Sequence, residues 1–304
     1  MKAIISFFKK ALFLNQTDNL SLFFILKRWN IRFGPYFYKK KYSTSEIIDT
    51  LRGMGIGEGS NVFIHSSWDS FYNYTGDEYE LIDGIIKLIG PNGTIAMPAF
   101  PLKRKNKLFD VRKSVTAAGL LNEAFRKYPN VKRSANERHS VCALGPLSEY
   151  LVKDHHNSLV AFDEQSPYYR ICEQHFKVIN LGLPVYFIGT FVHVSKTILR
   201  HEVPYFSQFY DENTFNIVHY IDYDGVERSY KEIYEPAILW RKSYLWDRFI
   251  IRKFVDRSSY QYQSISNLNV TCVDAYSVHV KLIELAKKNI FLYNYPIIKK
   301  KQRL

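Results

Sequence analysis

The sequence has few of the residues that organise extracellular or membrane-spanning proteins. Its 304 residues include only three cysteines, Cys142, Cys172 and Cys272, whose spacing suggests neither a C-x-x-C metal site nor a disulfide framework. The longest apolar runs, such as residues 20–26, fall well short of the roughly twenty residues that a membrane-spanning helix needs. We therefore expect a cytoplasmic protein without a transmembrane span.

The N-terminal segment does not have the pattern of a signal peptide, because Lys9 and Lys10 interrupt its apolar patch and no small-residue cleavage site follows. Residues 1–42 are nevertheless rich in aromatic and basic side chains. Two alternatives stay open for them: a packed helical extension with a solvated basic edge, or weak contact with an anionic membrane surface. No internal repeat or low-complexity linker follows, so we divide the chain into this extension and one domain over 43–304.

Acidic residues are in the minority, since 42 Lys and Arg against 29 Asp and Glu give a net charge of +13. Such a charge attracts anionic partners, although a coding bias towards Lys, Ile, Asn, Tyr and Phe would produce it as well. The sequence contains no helix-turn-helix, zinc-finger or RNA-binding signature, so nucleic acid is not an expected partner. Apolar residues make up 46% of the chain, enough for a sizeable core.

From Ser43 onwards the pattern is that of an α/β protein. Helices are predicted over 45–54, 81–89, 116–127 and 276–288, and strands over 62–64, 94–97 and 178–181. Thr75 and Glu78 are the predicted capping box of the second helix. If the first two strands are parallel, the HSSWDS and PAF segments emerge at the same edge of the sheet, where ligands bind in open α/β sheets.

Three of the nine histidines, His65, His139 and His193, lie next to apolar strand-like segments. One such histidine is usually structural, but three at strand ends indicate a shared polar site. A metal site is not favoured, because no two of them have i, i+4 spacing and no cysteine pair joins them. Ser66 and Ser67 lack the flanking glycines of a nucleophile elbow. They are expected either to donate hydrogen bonds to a phosphate, amide or carbonyl group or simply to cap a turn.

Four blocks of sequence resemble, in order, the antibiotic (aminoglycoside 3-N-) acetyltransferase family. They are IHSSWDSF, DGIIKLIGPNGTIAMPAF, the segment from FDVRK to VCALGP, and EQSPYYRI with FKVINLGLPVYFIGTFVH, and they cover about residues 45–205. The resemblance implies a single three-layer α/β unit, with a central mixed β-sheet flanked by helices. It also implies acetyl-CoA as co-substrate, with no metal.

The resemblance also assigns roles. The TFVH segment resembles the family's T-x-x-H segment, which makes His193 the first candidate for the general base that takes the proton of an acceptor amine. The other predicted site residues are His139 as a second catalytic residue, Ser140, His65, Ser66 and Ser67 as coenzyme contacts, and Asn136 and Phe100 as acceptor contacts.

The chain departs from the family pattern near the predicted base. The family usually has a glutamate three residues after this histidine, where this chain has Lys196, and Glu202 and Asp110 are the candidate acids that orient His193 instead. The resistance enzymes commonly have His-Pro where this chain has Asn136-Glu137, which indicates an altered acceptor side. Direct transfer is expected, with a ping-pong route through Cys142 or Cys172 as the alternative.

Electrostatics favour a nucleotide-linked amino sugar as the acceptor, because aminoglycosides are polycations and the matched blocks are rich in basic residues. These are Lys103, Arg104, Lys105, Arg112, Lys113, Lys132 and Arg133. The expected function is acetyl-CoA dependent N-acetylation of a nucleotide-linked 3-amino-deoxy sugar for surface polysaccharide. The alternatives are an aminoglycoside resistance enzyme and a catalytically inactive CoA-binding relative. The oligomeric state is left open, with a homodimer as one alternative.

Overall fold

The computed structural model describes residues 2–12, 22–102, 108–235 and 253–292, so Lys103, Arg104 and Lys105 lie outside the described residues. The helices are α1 (Lys2–Ala11), α2 (Leu22–Phe37), α3 (Thr44–Gly53), α4 (Glu78–Ile89), α5 (Leu120–Lys127), α6 (Ser148–Val152), α7 (Pro167–Glu173), α8 (His193–Ile198), α9 (Pro204–Ser207) and α10 (Ala275–Lys287). The strands are β1 (Asn61–Ser66), β2 (Thr94–Pro98), β3 (Phe109–Asp110), β4 (Lys132–Arg133), β5 (Val141–Leu144), β6 (Lys177–Leu181), β7 (Asp211–Ile221), β8 (Glu227–Tyr234), β9 (Tyr260–Ile265) and β10 (Leu268–Asp274).

A seven-stranded sheet with the order β4-β5-β2-β1-β6-β10-β9 forms the centre of the fold. β1 pairs in parallel with both β2 and β6, whereas β5 and β10 run antiparallel to their neighbours. A smaller sheet has the order β3-β7-β8. The predicted mixed sheet and the parallel pairing of its first two strands are confirmed.

Helices cover both faces of the central sheet because successive strand residues point to opposite sides. Phe63 and Val178 belong to one apolar cluster, which α6, α7, α8 and α10 complete. Val62 and Ile95 belong to the other, which is completed by α3 and α4. The three layers implied by the resemblance are therefore present. No helix among the described residues is long and apolar enough to cross a bilayer.

The start of α4 differs from the prediction. Asp77 is the N-cap, and its Oδ1 accepts the backbone N–H of Glu80 at 2.9 Å. Thr75 instead donates its hydroxyl to the carbonyl oxygen of Tyr42 at 3.2 Å. The predicted capping box of Thr75 and Glu78 is thus wrong, because an aspartate nearer to the first helical residue takes the capping position.

The helix predicted over 116–127 begins only at Leu120. The preceding residues are held in a loop, since the hydroxyl of Thr116 and the N–H of Ala117 both donate to the carbonyl oxygen of Phe100 at 2.9 Å. The ring of Phe100 is half-buried just beyond β2, and its contact with an acceptor stays a prediction. The other predicted helices and strands are confirmed within a few residues at each end.

Candidate active site

Two of the predicted histidines meet at the carboxyl edge of the parallel strands. His65 is the penultimate residue of β1, which runs parallel to β2. β5 runs antiparallel to β2, so that Val141 at its start pairs with Pro98 at the end of β2. His139 lies just before this start. The sheet topology therefore brings both histidines to the edge at which α/β proteins bind ligands.

The third histidine reaches the same edge through β6, the other parallel neighbour of β1. β6 ends at Leu181, and the chain then passes through a 3-10 turn over Thr190–Val192. His193 is the first residue of α8, directly after that turn. All three histidines thus lie at one edge of the sheet, and their action as one polar site stays a prediction.

The rings of His139 and His193 both contact the ring of Phe162, with centroid distances of 4.7 Å and 5.1 Å. Burial lowers the pKa of both imidazoles well below the ordinary 6.5. The positive charge of Lys196 lowers the pKa of His193 further, and that of Arg138 does so for His139. Both rings are therefore neutral near pH 7, with a nitrogen able to accept a proton.

The contacts of His65 are structural. Its ring is buried between Phe63 and Phe187, with centroid distances of 5.1 Å and 5.3 Å. Burial lowers its pKa to about 3, so the ring is neutral, and its Nε2 accepts the backbone N–H of Thr190 at 3.3 Å. His65 thus ties β1 to the turn before α8, and these contacts do not support the prediction that it binds the coenzyme.

Lys196 lies one helical turn after His193 and is fully buried. Its Nζ is 3.3 Å from Oε2 of Glu235, which follows β8. The ammonium also lies against the rings of Phe209 and Tyr210, 5.0 Å and 4.6 Å from their centroids. A buried charge of this kind is tolerated because it is paired. Sequence spacing gave no sign of Glu235, because strand β8 brings it in from far along the chain.

A second ion pair lies beside the other histidine. Arg138 contacts Glu232 of β8 at 3.2 Å, and burial raises the pKa of that glutamate. Asn136 is buried, and its Oδ1 accepts the N–H groups of Arg138 and His139 at 3.1 Å and 2.9 Å. Asn136 therefore positions the loop that carries His139, which gives it a structural role where an acceptor contact was predicted.

Asp110 and Glu202, the two acids predicted to orient His193, have other surroundings in the structure. Asp110 lies in the small sheet, and its Oδ1 accepts the N–H groups of Arg112 and Lys113, each at 2.9 Å. The carboxylate caps its own turn. Glu202 is exposed to solvent. The structure therefore supports neither prediction and instead brings a lysine–glutamate pair to the neighbourhood of His193.

The predicted serine contacts divide into two groups. Ser140 is fully buried, and its hydroxyl donates to the carbonyl oxygen of Ala99 at 2.8 Å, so a coenzyme contact is not supported. Ser66 and Ser67 are half-buried at the end of β1. The Ser66 hydroxyl donates to Oδ1 of Asn122 at 3.2 Å. These two serines stay the candidates for contact with a coenzyme.

The cysteines do not favour a covalent route. All three are buried as free thiols. Burial raises the pKa of Cys142 to about 12 and also raises that of Cys172. The thiolate is the nucleophilic form of cysteine, so these environments disfavour a ping-pong reaction. The part of the chain that the structure describes has no group of three His, Cys, Asp or Glu side chains arranged to hold a metal.

Comparison with known proteins gives one family. The family model of aminoglycoside 3-N-acetyltransferases matches residues 63–275, which leaves the predicted extension over 1–42 outside the match. Aminoglycoside N(3)-acetyltransferase IV from Salmonella sp is 28% identical over 166 residues, which are 54% of this chain and 62% of the relative. The SPbeta prophage-derived aminoglycoside N(3')-acetyltransferase-like protein YokD from Bacillus subtilis (strain 168) is 26% identical over 159 residues, 45% of this chain and 58% of its own. The chain thus spans less than two thirds of each of these curated relatives.

Solved structures share the fold over more of the chain. Sisomicin-bound AAC-VIa has a TM-score of 0.68 and 19% identity, and the match covers 83% of this chain and 100% of that one. AAC-IIIb in its binary complex with CoASH has a TM-score of 0.66 and 18% identity, with coverages of 83% and 98%. At such identities the likeness establishes the fold.

Proposed function

Because the chain belongs to the aminoglycoside 3-N-acetyltransferase family, whose model matches residues 63–275, we propose that it is a CoA-dependent N-acetyltransferase. Its acceptor is the amine of an aminoglycoside-type amino sugar. The observation that carries this proposal is the pair of neutral imidazoles, His139 and His193, held on Phe162 at the carboxyl edge of the sheet. The CoASH complex of AAC-IIIb, a protein of the same fold, supports the choice of coenzyme.

The distribution of charge along the chain bears on the acceptor. Residues 63–275 contain 25 Lys and Arg against 24 Asp and Glu, a net charge of +1, whereas residues 1–62 and 276–304 contribute +6 each. The net charge of +13 is therefore concentrated at the two ends and gives no reason to expect a nucleotide-linked acceptor. The nucleotide-sugar prediction and its role in surface polysaccharide lose their electrostatic basis. The names of the relatives support an aminoglycoside instead.

In the proposed reaction His193 accepts the proton of the attacking amine. That proton becomes acidic as the new C–N bond forms, so a neutral imidazole of low pKa is sufficient. Acetyl-CoA supplies the thioester, whose C–S bond breaks as CoA leaves and is protonated. The half-buried hydroxyl of Ser67 can donate to an acceptor such as the thioester oxygen, and that of Ser66, which donates to Asn122, can accept from a coenzyme amide N–H.

A panel of acceptors tests the proposal. The purified chain with acetyl-CoA is expected to release CoA thiol with aminoglycosides such as sisomicin and apramycin, and mass spectrometry is expected to find one added acetyl group. With nucleotide-linked amino-deoxy sugars we expect a kcat/KM at least about tenfold lower, since their pyrophosphate meets no net positive charge in the matched region. Thiol release without acceptor is the blank.

Two outcomes would contradict the proposal in different ways. Turnover with nucleotide-linked sugars alone would overturn the acceptor class and keep the transferase. Calorimetric binding of CoA without acetyl transfer to any acceptor of the panel would favour the inactive relative and overturn the proposed activity.

The dependence of kcat on pH follows from the environment of His193. Its pKa lies below 6.5 because burial, and then the charge of Lys196, disfavour the imidazolium. The neutral, proton-accepting form of His193 therefore persists as the pH falls. With saturating acceptor, we expect the acid limb of the pH profile of kcat, where protonation of His193 lowers kcat, to lie below pH 6.5. Two acceptors with different amine pKa values separate this limb from titration of the acceptor. An acid limb of kcat that both acceptors share at or above pH 6.5 would contradict the assignment of this limb to His193.

A further inference from the structure

The second half of α2 exposes an unusual number of aromatic side chains. Tyr36 and Phe37 are 71% and 81% exposed, and Trp29 and Phe33 are 42% and 39% exposed. Their spacing of i, i+4, i+7 and i+8 places them along one side of the helix. We call these four residues, together with Arg32, Lys39 and Lys41, the basic aromatic surface.

The opposite side of α2 is fixed to the body of the protein. Gly34 is buried, and a Cβ at this position would collide with the hydroxyl of Tyr72. Arg28 lies 3.8 Å from Asp69, and the segment after the helix is held by a hydrogen bond from Nδ2 of Asn73 to the carbonyl oxygen of residue 38, at 2.8 Å. The helix thus rests on the loop that follows β1, the strand that ends at Ser66. The basic aromatic surface has a defined orientation relative to the candidate site.

Basic charge accompanies the exposed rings. Residues 1–45 contain nine Lys and Arg but a single acidic residue, Asp18. In the surface itself, the Nζ of Lys39 lies 5.6 Å from the ring of Tyr36 and the guanidinium of Arg32 lies 6.0 Å from that of Phe33. The family match begins only at residue 63, so neither the rings nor the charges belong to the matched region.

We propose that the basic aromatic surface docks on an anionic lipid bilayer and holds the candidate site next to the membrane surface. Trp, Tyr and Phe side chains occupy the headgroup level of bilayers, and flanking Lys and Arg are attracted to anionic headgroups. A lipid surface buries the rings and neutralises the charges together. Double-stranded nucleic acid would neutralise the charges but leave exposed rings such as Phe37 in water. The proposal does not depend on the acceptor or on acetyl transfer.

The test is sedimentation of the full chain with phosphatidylcholine vesicles that contain or lack phosphatidylglycerol. We expect the partition coefficient to be more than about tenfold higher with the anionic vesicles and to fall as salt is raised. Tyr36→Ala with Phe37→Ala should lower it by about tenfold, and Lys39→Glu with Lys41→Glu by more. Lys87→Glu with Lys113→Glu makes the same charge change at exposed sites on the body and should have little effect.

The outcomes separate lipid docking from other causes. Equal losses in both charge-reversal variants would overturn the proposal, because the net charge alone would then explain binding. Equal affinity for the vesicles and for duplex DNA, with no effect of the aromatic variant, would also overturn it in favour of nonspecific polyanion binding. Thermal unfolding of each variant shows whether a loss comes from misfolding. Because Tyr36 and Phe37 are exposed, we expect their replacement to change the thermal stability little.

Discussion

Replacement of His193 by glutamine is expected to lower kcat by about a hundredfold to ten-thousandfold and to leave CoA affinity nearly unchanged. Glutamine fills the space beside Phe162 but cannot take up a proton. The acceptor amine then has no positioned base while its bond to the acetyl carbon forms. Steady-state kinetics with saturating acetyl-CoA and calorimetric titration with CoA measure the two effects separately.

The matched control for this variant is His65→Gln. His65 is also buried at the same sheet edge and is also neutral, but its Nε2 accepts a hydrogen bond from Thr190. Glutamine retains an acceptor oxygen, so we expect kcat within about a few-fold of the parent and only a modest loss of stability. If His193→Gln kept kcat within tenfold of the parent, or if His65→Gln lost as much, the role assigned to His193 would be wrong.

The sequence was sufficient to predict the sheet edge but not its electrostatics. Short apolar runs at β1, β5 and β6 identify buried strands, and the polar residues next to them, before β5 and after β6, mark one edge of the sheet. His139 and His193 could therefore be assigned to one site. Their neutral state could not, because it depends on burial against Phe162, a ring with no distinguishing sequence signal.

The two glutamates near the site, Glu232 and Glu235, could not be predicted from the sequence. Glu232 lies in β8 next to Lys231, and Glu235 follows the end of that strand. In the sequence, both glutamates therefore resemble solvent-exposed residues of a surface β-ribbon. Only the pairing of β7 with β8 turns them towards Arg138 and Lys196. Glu202 is exposed although it lies near His193 in the sequence, because closeness along the chain does not imply contact.

Net charge was misleading because it was treated as a property of the whole chain. The excess of Lys and Arg over 1–62 and 276–304 contributes nearly all of it. A field centred on the chain ends favours an anionic surface as the partner of those ends. The proposed acceptor must be judged from the nearly neutral matched region, and residues 1–62 can serve a different interaction from that of the candidate site.

Breaking the pair of Lys196 and Glu235 is expected to lower the free energy of unfolding by about 3–5 kcal/mol. Lys196→Met removes a fully buried ammonium and leaves the Glu235 carboxylate buried without its partner. Burial lowers the pKa of Lys196 to about 8 while Glu235 raises it, so at pH 7 the lysine is mostly charged and the pair is intact. Urea unfolding at pH 7 measures the loss.

The charge-swapped variant, Lys196→Glu with Glu235→Lys, separates the pair from the packing around it. Lys196→Glu alone places two carboxylates together and should destabilise strongly, whereas the double variant restores an ion pair and should recover most of the loss.

The double variant also places a carboxylate three residues after His193. The present ammonium lowers the pKa of His193, so a carboxylate should raise it and move the acid limb of kcat to higher pH. Additive destabilisation in the double variant would show that the pair does not stabilise the fold as a unit. An acid limb that does not move would show that the charge at position 196 does not set the pKa of His193.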